Sequence, residues 1–253
     1  MSLSVILITK NEENNIRACL ESVAWADEII VVDSGSNDNT VGICNKLGAQ
    51  VHVMDWPGFG PQKNRALDLA TGDWVLSLDA DERVSSELRS EIQSAIANPG
   101  EAVAFRVPRS SSYCGRRMRH SGWWPDYVTR LFKRGHARFS DDLVHEQLIV
   151  EGKTATLQQP LLHAAFRNLE QVLQKLNDYS TTGAMMLHRQ QRKASLGIAI
   201  CHGLWTFVRT YFLRTGFLDG REGFMLAVSN AEGAYYRYLK AMLLQEKNAE
   251  TKK

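Results

Sequence analysis

Trp74-Val75-Leu76-Ser77-Leu78-Asp79-Ala80-Asp81-Glu82 is an apolar run that ends abruptly in three acids. A run this short, bounded by polar residues, reads as a buried strand. Its surroundings repeat the pattern. The upstream apolar runs are residues 5–8, 28–32 and 51–54. Ile16, Cys19, Leu20 and Val23 follow the first at helical spacing, and Val41, Cys44 and Leu47 follow the second. A short helix is expected near 64–70 after the third, and Leu88, Ile92 and Ile96 continue the alternation after residue 82. Strand–helix units of this length predict an α/β fold with a doubly wound, mainly parallel sheet and right-handed crossovers.

Beyond residue 102 the pattern changes to short strands with turn signals, among them Lys133-Arg134-Gly135 and Glu151-Gly152. This predicts an antiparallel extension that makes the sheet mixed. From residue 168 the chain is helical by period and rich in aromatic and basic side chains. The expected division is an α/β domain over 1–166 and an α-helical C-terminal extension over 167–253.

Composition excludes several classes. A net charge of +2 leaves no global attraction to nucleic acid. Cys19, Cys44, Cys114 and Cys201 form no CxxC pair, and Cys19 and Cys44 fall on apolar helix faces, which fits a reducing compartment without disulfides. The N-terminus enters a strand directly and shows no signal peptide. Residues 196–213 are apolar but contain His202 and Arg209, so they are marginal for crossing a bilayer. The expected location is the cytoplasm, peripheral on the inner face of the cytoplasmic membrane.

Open parallel sheets bind ligands at the carboxyl ends of their strands. Three polar clusters fall there: Thr9-Lys10-Asn11-Glu12, Asp33-Ser34-Gly35-Ser36 and Asp79-Ala80-Asp81-Glu82. Asp79 and Asp81, two apart, can face one hard cation, Mg²⁺ or Mn²⁺, that bridges a diphosphate. A lone DxD is otherwise a polar turn or a helix cap, but three clusters on one edge favour a site. Asp33 suits either a nucleobase imide or an Asx-turn. Neither GxGxxG nor GxxxxGK[ST] occurs, so the metal would neutralise most of the phosphate charge, helped by Lys63 or Arg65. Arg117 and Arg119 lie just before Trp123 and Trp124. Cations beside aromatic faces suit a phosphorylated sugar acceptor; the alternative is a solvated basic loop with core tryptophans. Trp205, Phe207, Tyr211, Phe212 and Phe217, interleaved with Arg209, Arg214 and Arg221, suit contact with an anionic membrane surface through 196–221. They also suit packing on the α/β domain or a homodimer contact.

SVILITKNEENNIRACLESV, DEIIVVDSGSNDNT and LSLDADE, in this order, resemble glycosyltransferase family 2, the inverting enzymes of GT-A fold. The likeness is continuous over about the first hundred residues. GFGPQKNRAL, RLFKR, LVHEQL and TGFLDGREGFMLAVSNAEGAYYRYLK are most similar to the lipopolysaccharide-core β-1,4-glucosyltransferases. The resemblance implies Thr9, Asn11, Glu12 and Asp33 around the nucleoside and Asp79 and Asp81 at the metal and diphosphate. It implies UDP-glucose as donor and an inner-core heptose on a lipid-linked oligosaccharide as acceptor. His163, after the run Pro160-Leu161-Leu162, suits either completion of the metal shell, as a later histidine does in some GT-A enzymes, or a buried, hydrogen-bonded core position. Many family members place their base in a Glu-Asp pair. This chain offers Asp141-Asp142 and His145-Glu146 instead, and Glu146, then Asp142, is the expected base. Inversion needs one base on the acceptor hydroxyl and a Lewis acid on the leaving diphosphate. The rival readings are a sugar-phosphate nucleotidyltransferase, which would open on a Gly-rich basic loop that TKNEE is not, a family 2 enzyme with another lipid-linked or protein acceptor, and an inactive membrane scaffold.

Overall fold

The computed structural model describes residues 1–140 and 147–250, with side chains described to residue 247. Glu146 and Asp142, the expected bases, lie outside the described residues. The chain forms two compact units. The first comprises Met1–Arg109 and Asp126–His163, the second Ser110–Pro125 and Ala164–Lys253.

The first unit begins as the apolar runs predict: β1 (Leu3–Thr9), α1 (Ile16–Ser22), β2 (Glu28–Asp33), α2 (Thr40–Lys46), β3 (Gln50–Val53), α3 (Phe59–Leu69) and β4 (Trp74–Asp79). These strands pair in parallel in the order β3-β2-β1-β4. Strands covered on both faces need apolar residues at every position, and β1 and β4 are buried almost throughout. Side-chain alternation separates the two faces. Leu3, Val5 and Leu7 join Trp74, Leu76 and Leu78 against α1 and against Leu88, Ile92 and Ile96. Ile6, Ile30, Val32 and Val75 pack against Ala66 and Leu67 of α3. Each fully buried aliphatic chain contributes roughly 1.5–3 kcal/mol of transfer free energy. The register sets Thr9 opposite Asp33 and Ile8 opposite Asp79, so the three polar clusters share one edge.

Helix α3 starts five residues before the expected 64. Gly58, with φ 124°, ends the preceding extended segment, and Pro61 falls within the first turn. Proline is tolerated there because its missing N–H has no intrahelical partner in any case. The Gly-Phe-Gly-Pro run therefore opens a helix and does not break one.

The unit continues with β5 (Glu82–Val84), α4 (Ser86–Ala97), β6 (Ala102–Tyr113), β7 (Arg116–Arg117), β8 (Asp126–Lys133), β9 (Ala137–Phe139), β10 (Leu148–Val150), β11 (Lys153–Thr156) and β12 (Leu161–Phe166). Tyr113, β7 and the end of β12 fall in the second unit. β8 pairs antiparallel with β4 and β6, so the sheet is mixed. Its register, Leu76 against Leu131, carries Arg130 towards the end of β4. β12 runs antiparallel to β5 and sets His163 opposite Glu82. Asn64 fixes β9 to α3 by exchanging two hydrogen bonds with the Phe139 backbone, at 2.9 and 3.0 Å.

The second unit is built on α5 (Leu169–Arg189), α6 (Leu196–Val208) and α7 (Gly220–Glu250). Asn168 and Ser195 cap the first two by accepting N–H bonds from Gln171 and Ile198. A π-helical turn, Arg209–Leu213, prolongs α6. Tyr113, Met118, Val172 and Leu226 form this unit's core, with Trp123 and Phe166 against them. Buried Asp219 accepts from the backbone N–H groups of Arg119 and His120, at 3.1 and 2.8 Å, and meets His120 Nδ1 at 3.1 Å.

Candidate active site

The edge formed by the carboxyl ends of β1, β2 and β4 carries two polar networks. Thr9 Oγ1 donates to Asp33 Oδ2 at 2.9 Å, and Ser36 Oγ donates to the same oxygen at 2.6 Å. Asp33 Oδ1 accepts from the backbone N–H groups of Gly35 and Ser36. Asp33 is wholly buried, and these four bonds match a carboxylate's acceptor capacity. Here it holds an Asx-turn, the second of its two expected roles, and contact with a base would require giving up one of these bonds. Asn11 stands in the left-handed region at φ 56° and exchanges bonds with Ser36 Oγ and the Asn37 N–H. The Glu12 N–H donates to Thr40 Oγ1, and its carboxylate accepts from Asn15. Thr9, Asn11, Glu12 and Asp33 thus line one polar wall.

Asp79 is gripped by two cations. Lys63 Nζ lies 3.2 Å from Oδ1, and Arg130 Nη2 bonds Oδ2. Burial opposes ionisation of Asp79, but Arg130 and then Lys63 outweigh it and hold the carboxyl well below the usual carboxylate range. The same Arg130 Nη2 donates to Glu82 Oε1 at 2.6 Å, and Glu82 Oε2 accepts the Asp79 N–H at 3.0 Å. Glu82 is wholly buried, and burial raises its pKa, with Arg130 pulling it back and Asp79 pushing it up. Arg109 comes within 3.6 Å of Glu82 and bonds Asp126 at 2.7 Å. Lys63 therefore takes the place expected of it beside the acids. Arg65 turns away to Asp55, at 2.9 Å, and to Gln62.

Asp81 faces a different partner: its Oδ2 is 3.3 Å from His163 Nε2, both side chains partly exposed. Among the described residues no three His, Cys, Asp or Glu side chains converge on one point. Asp79 is thus turned to its cations, and the remaining donor pair is one carboxylate and one imidazole. A carboxylate and an imidazole suit a divalent ion of the Mn²⁺ kind better than Mg²⁺, with water and substrate phosphate as the other ligands.

In the second unit, the guanidinium of Arg117 lies 5.4 Å above the Trp124 ring. Trp123 packs edge-on to Tyr113 and tilted against Phe166. Of the two tryptophans, the core reading describes Trp123. Arg119 is exposed, and its backbone is held by Asp219.

The glycosyl transferase family 2 model matches residues 4–149. The chain belongs to glycosyltransferase family 2. An uncharacterized glycosyltransferase of Rickettsia conorii is 32% identical over 99% of this chain and 92% of its own. The lipopolysaccharide core biosynthesis glycosyltransferase LpsC of Rhizobium meliloti is 32% identical over 98% of this chain and 94% of its own. A TarS fragment from S. aureus shares the fold, with a TM-score of 0.50 and 16% identity over 98% of this chain and 92% of its own. The family 2 chain is accordingly of GT-A fold, a mixed α/β sheet followed by a helical C-terminal extension.

Sequence reasoning gave no role to Arg130 or to the Glu82 brace. The available signal was Arg130 itself, a charge inside the strand Tyr-Val-Thr-Arg-Leu-Phe. Arginine is almost never fully buried without a partner.

Proposed function

We propose that this family 2 glycosyltransferase is an inverting, metal-assisted hexosyltransferase that moves glucose from UDP-glucose to a heptose of a lipopolysaccharide inner core. The observation that carries this reading is the sheet edge itself. The Thr9–Asp33 wall and the cation-held Asp79 stand at the ends of neighbouring strands, and Asp81, two residues on, meets His163 of β12. Similarity to LpsC over nearly the whole of both chains supports the acceptor class.

Thr9, Asn11, Glu12 and Asp33 shape the nucleoside pocket, Asp33 by fixing the turn and not by free acceptor capacity. Lys63 and Arg130 hold Asp79 ionised, and Lys63 is the cation nearest the diphosphate's place. Asp81 and His163 are the residues that would hold a divalent ion, whose Lewis acidity would stabilise the leaving nucleoside diphosphate. Glu146, or Asp142 in its place, takes the proton of the acceptor hydroxyl as the sugar's anomeric centre inverts. Arg117, Arg119 and Trp124 receive the phosphorylated acceptor, and Trp123 holds Trp124's loop. The acceptor is anchored in the cytoplasmic leaflet, so the enzyme works in the cytoplasm at that surface.

Thermal shift with UDP-, GDP- and CMP-sugars, each with and without Mn²⁺, tests the reading, since a ligand of the native state raises the melting temperature. UDP-glucose with Mn²⁺ is expected to give the largest shift, and Asp81→Asn to abolish its Mn²⁺-dependent part. A shift equal in Asp81→Asn and the natural chain would refute the metal assignment.

A further inference from the structure

From residue 179 to 218 the chain contains no Asp or Glu, yet it carries Arg189, Arg192, Lys193, Arg209 and Arg214, all exposed. Within this stretch Leu196–Leu213 is an 18-residue apolar helix of which only 17% is buried. It seats on α7 along a narrow seam of small residues, Ala199 and Gly203. A Cβ on Gly203 would stand 3.3 Å from the Ala231 carbonyl and from Tyr235 Cβ, so the seam is close-fitting there. The bulky side chains point away from it: Leu196, Leu204, Trp205, Phe212 and Leu213 are each more than half exposed.

We infer that this face lies on an anionic lipid bilayer, with α6 in the plane of the headgroups. The inference deepens the reading of a lipid-anchored acceptor; it rests on that reading for its purpose and on the second unit alone for its evidence. Exposed apolar anchors together with cations that no acid in the stretch opposes are what an interfacial helix requires. A bilayer fits better than a second copy of the chain. A two-fold contact centred here would set each copy's arginines against the other's, with no acid in the stretch to receive them. Lying in the plane also fits better than spanning. α6 alone is about 20 Å long at 1.5 Å per residue, against ~30 Å of hydrocarbon. Extending it through the π-turn would bury Arg209 and pull the helix off α7.

The test is cosedimentation of the full chain with phosphatidylcholine vesicles, alone or with about 30% phosphatidylglycerol, without nucleotide. Partitioning should rise at least about tenfold on the anionic vesicles and fall as salt is raised, because salt screens the headgroups. Neutralising a surface cation costs roughly fivefold each, so Arg192→Ser/Lys193→Ser/Arg209→Ser should lower partitioning on the order of 100-fold. Leu204→Ser/Trp205→Ser should abolish quenching of tryptophan fluorescence by brominated lipid. These side chains are exposed, so circular dichroism and the UDP-glucose thermal shift should be unchanged. Equal partitioning on uncharged vesicles, or binding that survives both variants, would overturn the inference. So would a dimer in sedimentation equilibrium that Trp205→Ser disperses while vesicles go unbound, which assigns the face to a second copy. A chain that binds vesicles but no nucleotide sugar refutes the donor reading alone.

Discussion

Replacing Arg130 by Met keeps the bulk of the side chain and deletes the charge that joins Asp79 to Glu82. Glu82 is the more exposed to consequence because it is wholly buried. It loses a 2.6 Å charge-assisted bond and keeps the Asp79 N–H and Arg109 at 3.6 Å. Breaking one side of a buried ion pair costs about 3–5 kcal/mol, and a single charged hydrogen bond about 1.5–3. Lys63 still serves Asp79 and Arg109 still faces Glu82, which places the expected loss near 3 kcal/mol at pH 7. The loss carries a pH signature. Burial already raises the Glu82 pKa, and Arg130 is what pulls it down. In the variant that pull is gone, so Glu82 takes a proton at higher pH and the uncompensated charge disappears as pH falls. A raised folded-state pKa gives stability that is intact at low pH and lost as pH rises. The gap between variant and natural chain should therefore be wide at pH 8 and narrow towards pH 5. Urea unfolding followed by tryptophan fluorescence measures it, because buried Trp74 on β4 reports this unit. Adding Glu82→Gln to the variant should restore much of the loss. A loss under about 1 kcal/mol, or one constant from pH 5 to 8, would show that Arg130 does not compensate Glu82.

Two further outcomes follow from the site and the core. Glu146→Gln should lower turnover on the order of 10²-fold or more with donor affinity little changed, in steady-state and thermal-shift measurements; an active Glu146→Gln beside an inactive Asp142→Asn would give the role to Asp142. Ellman's reagent at pH 8 should modify exposed Cys201 rapidly in the native chain and reach Cys19 and Cys44 only after unfolding. Burial, then the nearby Asp33 charge, pushes the Cys44 thiol up to about 11. Its share of stability is intact below about 8.5 and is lost as pH rises from there through 11.

The parallel half of the fold was legible because its strands are buried on both faces. Residues 5–8 and 29–32 are apolar without interruption and 74–78 is broken only by Ser77, and such runs have few other readings. The start of α3 was not legible, because Gly-Phe-Gly-Pro reads locally as a break and only the positive φ of Gly58 shows that the helix begins there. The site divides in the same way. Asp79 and Asp81 announce themselves by following a strand. His163 meets Asp81 only through the antiparallel pairing of β12 with β5, and Arg130 reaches Asp79 and Glu82 across 51 and 48 residues. No period or spacing in a sequence records a register between distant strands. Asp33 shows a third situation. Its two readings used the same residues, and the four bonds it accepts describe the Asx-turn.

In the Asp79–Glu82 segment the buried Glu82 positions Asp79. Glu82 uses one oxygen to accept the Asp79 N–H and the other to hold Arg130, which in turn holds the Asp79 side chain. Backbone and carboxylate of Asp79 are thus fixed by the same group. Asp81 lies between these two residues in sequence, and His163 opposes Glu82 in the β5–β12 register. Glu82 is thus the chain neighbour of Asp81 and the cross-strand partner of His163. Deleting Glu82 alone would leave the Asp79 N–H and one side of Arg130 without their acceptor inside the protein, so the change would disturb the position of Asp79 as well as the stability of the unit.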